Sequence, residues 1–272
     1  MGDVLAQVAR GGNYPKLLAQ LAAALVRSAR GVSSAAITSG RWLADVVVDA
    51  APRIPVRDLA TLQAHYPGLE GDDLADALVR SASRATATVG VAGGSLTAIK
   101  WTVPVTLITI PIQLVVETAA VAAIEIKLVA ELHEAYGVPV HGTATERGTA
   151  YALAWADRRG VNPLEPATIT AALGVVARRR VQRRLAIRAG REIGTLAPMM
   201  AGAVYGAWSN RRQTLIMADS LRGDLRRRRR SDGVTSSVRN ARVALALSRA
   251  MTPAASRGVS RLVQLSRRHD RP

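Results

Sequence analysis

An all-α fold is predicted by three observations on the sequence. Apolar residues recur at helical spacing along nearly the whole chain. Helix-starting and helix-stopping residues punctuate them at ordinary intervals. The strict alternation expected of a strand appears only over Val103–Ile112, where Pro104 and Pro111 argue against a central strand. The candidate helices are 15–30, 34–50, 56–65, 71–84, 111–136, 146–159, 166–191, 196–222 and 238–250. No repeat of fixed period runs through them.

Each element has local reasons. Pro15 suits the first turn of the 15–30 helix, and Gly31 stops it after Arg30. The apolar run Leu17–Val26 follows Lys16, but Gln20 interrupts it and Arg27 closes it without a small-residue cleavage site. It reads as a helix rather than a secretory leader. Asp72 and Asp73 load the first turn of the 71–84 helix with the charge its dipole favours. Gly137 followed by Pro139 ends the 111–136 helix. Placing Glu117 at 0° on that helix puts Gln113 and Glu131 near −40°, Lys127 near −80°, Glu134 near −100° and Glu125 near +80°. The rest of the arc is apolar, so the helix is expected to be amphipathic with a sparse polar stripe. His133 falls opposite the acids and is expected in the core rather than as their catalytic or metal partner.

Charge divides the chain. Of 37 Lys+Arg and 20 Asp+Glu, residues 1–136 hold 11 and 12, and residues 137–272 hold 26 and 8. The net charge of +17 therefore belongs to the second half and points to a polyanionic partner. Two segments concentrate it. One is Arg178–Arg191, with Arg178, Arg179, Arg180, Arg183 and Arg184 at its start. The other is the unbroken run Arg226, Arg227, Arg228, Arg229 and Arg230, read as a linker because like charges repel. Basic amphipathic stretches follow in the 223–272 tail. A basic face opposite an apolar one suits anionic lipid headgroups, the expected partner. Nucleic acid is the runner-up, weakened by an aromatic content of only 3%.

The apolar stretch Ala85–Ile124 holds forty residues with only Lys100 and Glu117 charged. Neither half reaches the ~20 apolar residues of a spanning helix. A re-entrant or interfacial hairpin fits, with Trp101, Val103, Val105, Leu107, Ile108, Ile110, Ile112 and Leu114 as the membrane-contacting set. The buried central hairpin of a helical domain is the alternative. Small residues invite close helix packing at Gly90 and Gly94, and again at Gly190, Gly194, Gly202 and Gly206, which are spaced 4, 8 and 4 apart. Trp101 and Trp208 flank these apolar runs, as an interfacial belt would place them.

Chemical signatures are sparse. Cysteine is absent, which removes disulfides, thiolate metal sites and a Cys nucleophile. The four histidines form no H-E-x-x-H, and GVAGG at 90–94 lacks the residues of a phosphate loop. No G-x-S-x-G elbow occurs. No catalytic residue, metal or cofactor is expected.

Three segments together resemble the EcsC family of bacterial proteins over about residues 56–222. They are YPGLEGDDLADALVRSASRATATVGVAGG, the proline-marked turn into a helix ending IKLVAELHEAYG, and IGTLAPMMAGAVYGAWSNRRQT. The last is similar to the family's Gly-rich segment followed by Asn and Thr, here Asn210 and Thr214. The apolar turn departs from the family pattern, with Thr and Ile in place of Gly and Asp. The resemblance implies membrane association and a role beside a transporter, and supplies no catalytic residues. The domain expectation is an N-terminal helical segment at 1–55, an EcsC-like domain at 56–222 and the Arg-rich tail.

Overall fold

The computed structural model describes residues 1–33, 41–95, 112–159 and 204–231. All regular structure in them is helical: α1 (Gly2–Arg10), α2 (Tyr14–Ala29), α3 (Arg41–Ala50), a 3-10 turn at Ala51–Arg53, α4 (Leu59–His65), α5 (Gly71–Ser95), α6 (Ile112–Ala135) and α7 (Ala144–Arg158). A further helix, α8, covers 204–231. The chain divides into two units, Met1–Leu225 and Arg226–Pro272.

The helix ends follow the local chemistry. Asn13 caps α2 by accepting from the Lys16 N–H at 3.2 Å, with Pro15 in the first turn. Asp58 caps α4 through the Thr61 N–H at 2.8 Å. Thr143 and Glu146 form a reciprocal capping box at the start of α7. At the end of α6, Gly137 takes a φ of +69° and the Val138 N–H reaches back to the His133 carbonyl at 2.9 Å. A residue with a Cβ is strained there, which is why glycine stands at this stop.

α6 is the axis of the first unit. It packs against α1, α2, α3, α4, α5 and α7, and from Val115 to Ala135 none of its residues is exposed. Its acids are inside: Glu117, Glu125 and Glu131 are all buried. The expected sparse polar stripe is therefore not a solvent-facing one. A helix buried on every side must bring each charged group to a partner, because an unpaired buried charge is too costly to keep. His133 is buried as expected; its Nδ1 donates to the Val129 carbonyl at 2.7 Å, and its ring packs on Tyr151.

α5 and α6 run antiparallel: the Tyr136 hydroxyl donates to Asp72 at 2.5 Å, while Gly93 lies beside Glu117. α5 continues to Ser95, eleven residues past its expected end, with Gly90, Gly93 and Gly94 inside it. Interior glycines weaken a helix by about 1 kcal/mol each, and tertiary packing overrides that preference here. α1 was not expected. Its nine residues are too short to stand alone, but Leu5, Val8 and Ala9 are buried in the core. The first 55 residues lie in the same unit as α5 and α6.

Among the described residues no helix is long and apolar enough to cross a membrane. The linker expected at 226–230 is instead helical, and all five arginines are exposed. Extended, exposed side chains can keep their charged heads apart in water, so helix geometry does not force the repulsion that the reading assumed. The expected helices 166–191 and 238–250 lie outside the described residues, as do residues 34–40, 111 and 196–203 of three others.

Candidate functional site

The densest polar chemistry lies where α5, α6, α7 and α8 meet. Four helices can approach there because two of them carry no side chain at the contact. A Cβ built on Gly90 would stand 2.5 Å from the carbonyl carbon of Gly206, and one on Gly206 would stand 3.0 Å from the Gly90 oxygen. With the backbones in contact, one turn further on becomes hydrogen-bonding distance.

Asn210 lies one turn after Gly206. Its Nδ2 donates to Glu117 Oε1 at 2.9 Å and lies 3.3 Å from the Thr86 carbonyl. One turn further, the Thr214 hydroxyl is 2.7 Å from Glu125 Oε1 and 3.0 Å from the Thr86 hydroxyl. Glu125 is fully buried and also accepts from Trp155 Nε1 at 2.8 Å and Arg159 Nε at 2.8 Å. The Arg159 guanidinium binds it in a fork through Nη2 and gives its remaining arm, Nη1, to Gln213 at 2.7 Å. Planar fork geometry makes arginine the residue suited to such a pairing. Among the described residues, no buried side-chain nitrogen or oxygen lacks a partner.

This arrangement sets the register of α8. An i, i+4 pair on α8, Asn210 and Thr214, meets an i, i+8 pair of acids on α6, Glu117 and Glu125. A slip of α8 by one residue would turn both donors away by about 100° and cost each of the two carboxylates a hydrogen bond. Chemically, the junction is a saturated lock.

Two smaller clusters flank it. Glu131 holds Arg57, at 2.7 and 2.9 Å, and Lys127. Burial pushes the Lys127 amine below its ordinary value, opposed by Glu131. Near the far end of α8, Arg222 reaches Asp76 at 2.6 Å and the Tyr136 hydroxyl at 3.2 Å. Asp72 thus accepts from Tyr136 beyond its place in the first turn of α5.

Glu134 gives a pH prediction. Burial, and secondarily Asp58, hold its carboxyl above the usual value, opposed by Arg147, the Leu59 N–H and His141. The ionised form is then disfavoured by folding. That penalty is absent below the ordinary value of 4.5 and present once pH exceeds the raised one. Glu134→Gln should raise the melting midpoint at about pH 7 and change it little near pH 4. An equal shift at both pH values would refute the assignment.

The other expected site residues are placed as follows. Gly94, Ile112 and Leu114 are in helix, the first in α5 and the others in the first turn of α6. Trp101, Val103, Val105, Leu107, Ile108 and Ile110 lie outside the described residues, as do Gly190, Gly194, Gly202 and Arg178, Arg179, Arg180, Arg183 and Arg184. Sequence reasoning passed over Thr86, Trp155, Arg159 and Gln213. The signal that would have found them is the presence of acids in an otherwise apolar helix, which demands buried donors elsewhere. Among the described residues no group of three or more His, Asp or Glu could hold a metal ion. No family model, curated protein or solved structure matches the chain.

Proposed function

We propose that this chain is a membrane-associated helical protein that attaches to anionic lipid, acting as a scaffold or accessory rather than as an enzyme. The observation that carries the reading is the run Arg226–Arg230, five consecutive arginines that are all exposed on a helix. Five adjacent exposed guanidinium groups concentrate positive charge that a polyanionic surface can meet, and each basic residue near such a surface contributes on the order of 1 kcal/mol. The apolar, proline-marked segment between α5 and α6 supports lipid over nucleic acid, since a duplex offers nothing for it to enter. The resemblance to the EcsC family adds a transporter as the membrane neighbour. The arginine-rich segments would then face the cytoplasm, where the positive-inside bias puts them.

Flotation of the full chain with vesicles tests the proposal. Vesicles containing phosphatidylglycerol should carry the protein upward, and phosphatidylcholine alone should carry much less. Replacing the five arginines by glutamine should weaken partitioning by about a hundredfold or more. Absence of flotation, with retention on duplex DNA that falls steeply with salt, would overturn the lipid reading in favour of nucleic acid.

A further inference from the structure

The outward side of α8 within the first unit carries an unusual set of side chains. Counting about 100° per residue from Val204, Trp208 lies near 40°, Arg212 near 80° and Ile216 near 120°, with Arg211 near −20°. The buried residues Thr214, Met217, Ala218 and Leu221 occupy about 220° to 320°. Val204 is 66% exposed, Trp208 53% and Ile216 59%. They are the three most exposed of the six large apolar side chains exposed among the described residues, and they share one stripe. Arg211 and Arg212 are exposed beside them, and Asp219, also exposed, falls near 60° about one turn beyond Ile216. The Arg212 guanidinium lies 5.3 Å from the centroid of the Trp208 ring, and the Tyr205 ring is tilted against that ring with 5.8 Å between centroids.

We propose that this stripe is the surface by which the first unit seats on an anionic bilayer. Trp208 would sit at headgroup depth with Val204 and Ile216 on either side of it at about the same level, and the long Arg211 and Arg212 side chains would reach lipid phosphate. An indole with one apolar and one polar edge is suited to that depth. Arginine beside it can bury its stem while its head stays among phosphates. A second copy of this chain fits the stripe poorly. A two-fold contact is self-complementary, so it would set four arginines against only two aspartates, Asp219 of each copy. Three side chains also fall far short of the ~800 Å² that each partner of a stable protein interface buries. A bilayer requires neither shape complementarity nor a partner carboxylate. The inference rests on the membrane reading above and adds the face that makes the contact.

The absence of cysteine makes the test direct, because Ile216→Cys creates a single thiol. That site, and separately Ala64→Cys on α4, takes an environment-sensitive fluorophore in the full chain. With phosphatidylglycerol vesicles the label at 216 should shift to the blue and be quenched by brominated lipid, and the label at 64 should do neither. In the unlabelled chain, Trp208→Ala with Ile216→Ser should lower partitioning by about tenfold or more, with an unchanged melting midpoint. Flotation without a response at 216 overturns the assigned face and leaves the membrane reading standing. Failure to float overturns both. A shift at 216 that needs no vesicles and grows with protein concentration overturns the lipid seat in favour of a second copy. An equal response with phosphatidylcholine alone overturns the role of the arginines.

Discussion

Gly90→Ala should destabilise the protein, although alanine is the better helix former. In an exposed helix the exchange would gain about 1 kcal/mol. Here the added methyl meets backbone: 2.5 Å to the Gly206 carbonyl carbon, 2.6 Å to its oxygen and 2.7 Å to the Ala207 nitrogen. Backbone in the middle of a packed helix cannot rotate aside as a side chain can. α5 and α8 must separate, and the bonds that depend on their approach, Asn210 to the Thr86 carbonyl and Thr214 to the Thr86 hydroxyl, lengthen with them. Overpacking and a weakened buried network together outweigh the helix gain by about 2–3 kcal/mol. At this chain length that lowers the melting midpoint by roughly 5–10 °C. Gly206→Ala should cost less, since its nearest contacts are 3.0 and 3.4 Å. A Gly90→Ala protein as stable as the parent would remove the close approach as the organising contact of the junction.

Arg159→Leu should cost still more, about 3–5 kcal/mol. The reason is what stays behind: Glu125, fully buried, with only Trp155 and Thr214 left as donors among the contacts described above. The companion variant Glu125→Leu with Arg159→Leu should recover most of the loss, because replacing both charges removes the desolvation penalty along with the attraction. Arg158 provides the contrast. It pairs with Asp224, whose side chain is 30% exposed, and solvent screens that pair. Arg158→Leu should therefore cost no more than about 1 kcal/mol. Chemical denaturation of the three variants measures all of this. If the double variant is no more stable than Arg159→Leu, the loss comes from packing and not from a stranded charge.

The elements most legible in the sequence were those whose ends are decided locally. Pro15, Asp72 with Asp73, and Gly137 each mark a helix end through backbone chemistry that requires no distant partner, and the structure has helix ends at all three. The expected end of α5 failed for the opposite reason. α5 runs past residue 84 and through GVAGG to Ser95, where Gly90 answers to α8, more than a hundred residues away, and Gly93 lies against Glu117 of α6. The junction was half visible. Asn210 and Thr214 were singled out by resemblance, and Gly90 and Gly206 by their spacing. Nothing in linear order shows that Arg159 is the partner of Glu125, since the fork between them spans thirty-four positions.

The sequence by itself determined the helical class, the unequal division of charge and the absence of thiol chemistry, all of which follow from composition and short-range spacing. Tertiary structure decided the rest. It made α6 a buried axis and turned its acids from an expected polar stripe into interior anchors. It brought two glycines together so that Asn210 and Thr214 could reach those acids, and it left Trp208, Val204 and Ile216 on the outside. The physical reason is that a side chain's environment depends on which other elements surround its helix. Burial makes a carboxylate costly enough to demand a specific partner, and only the packed fold determines where burial occurs.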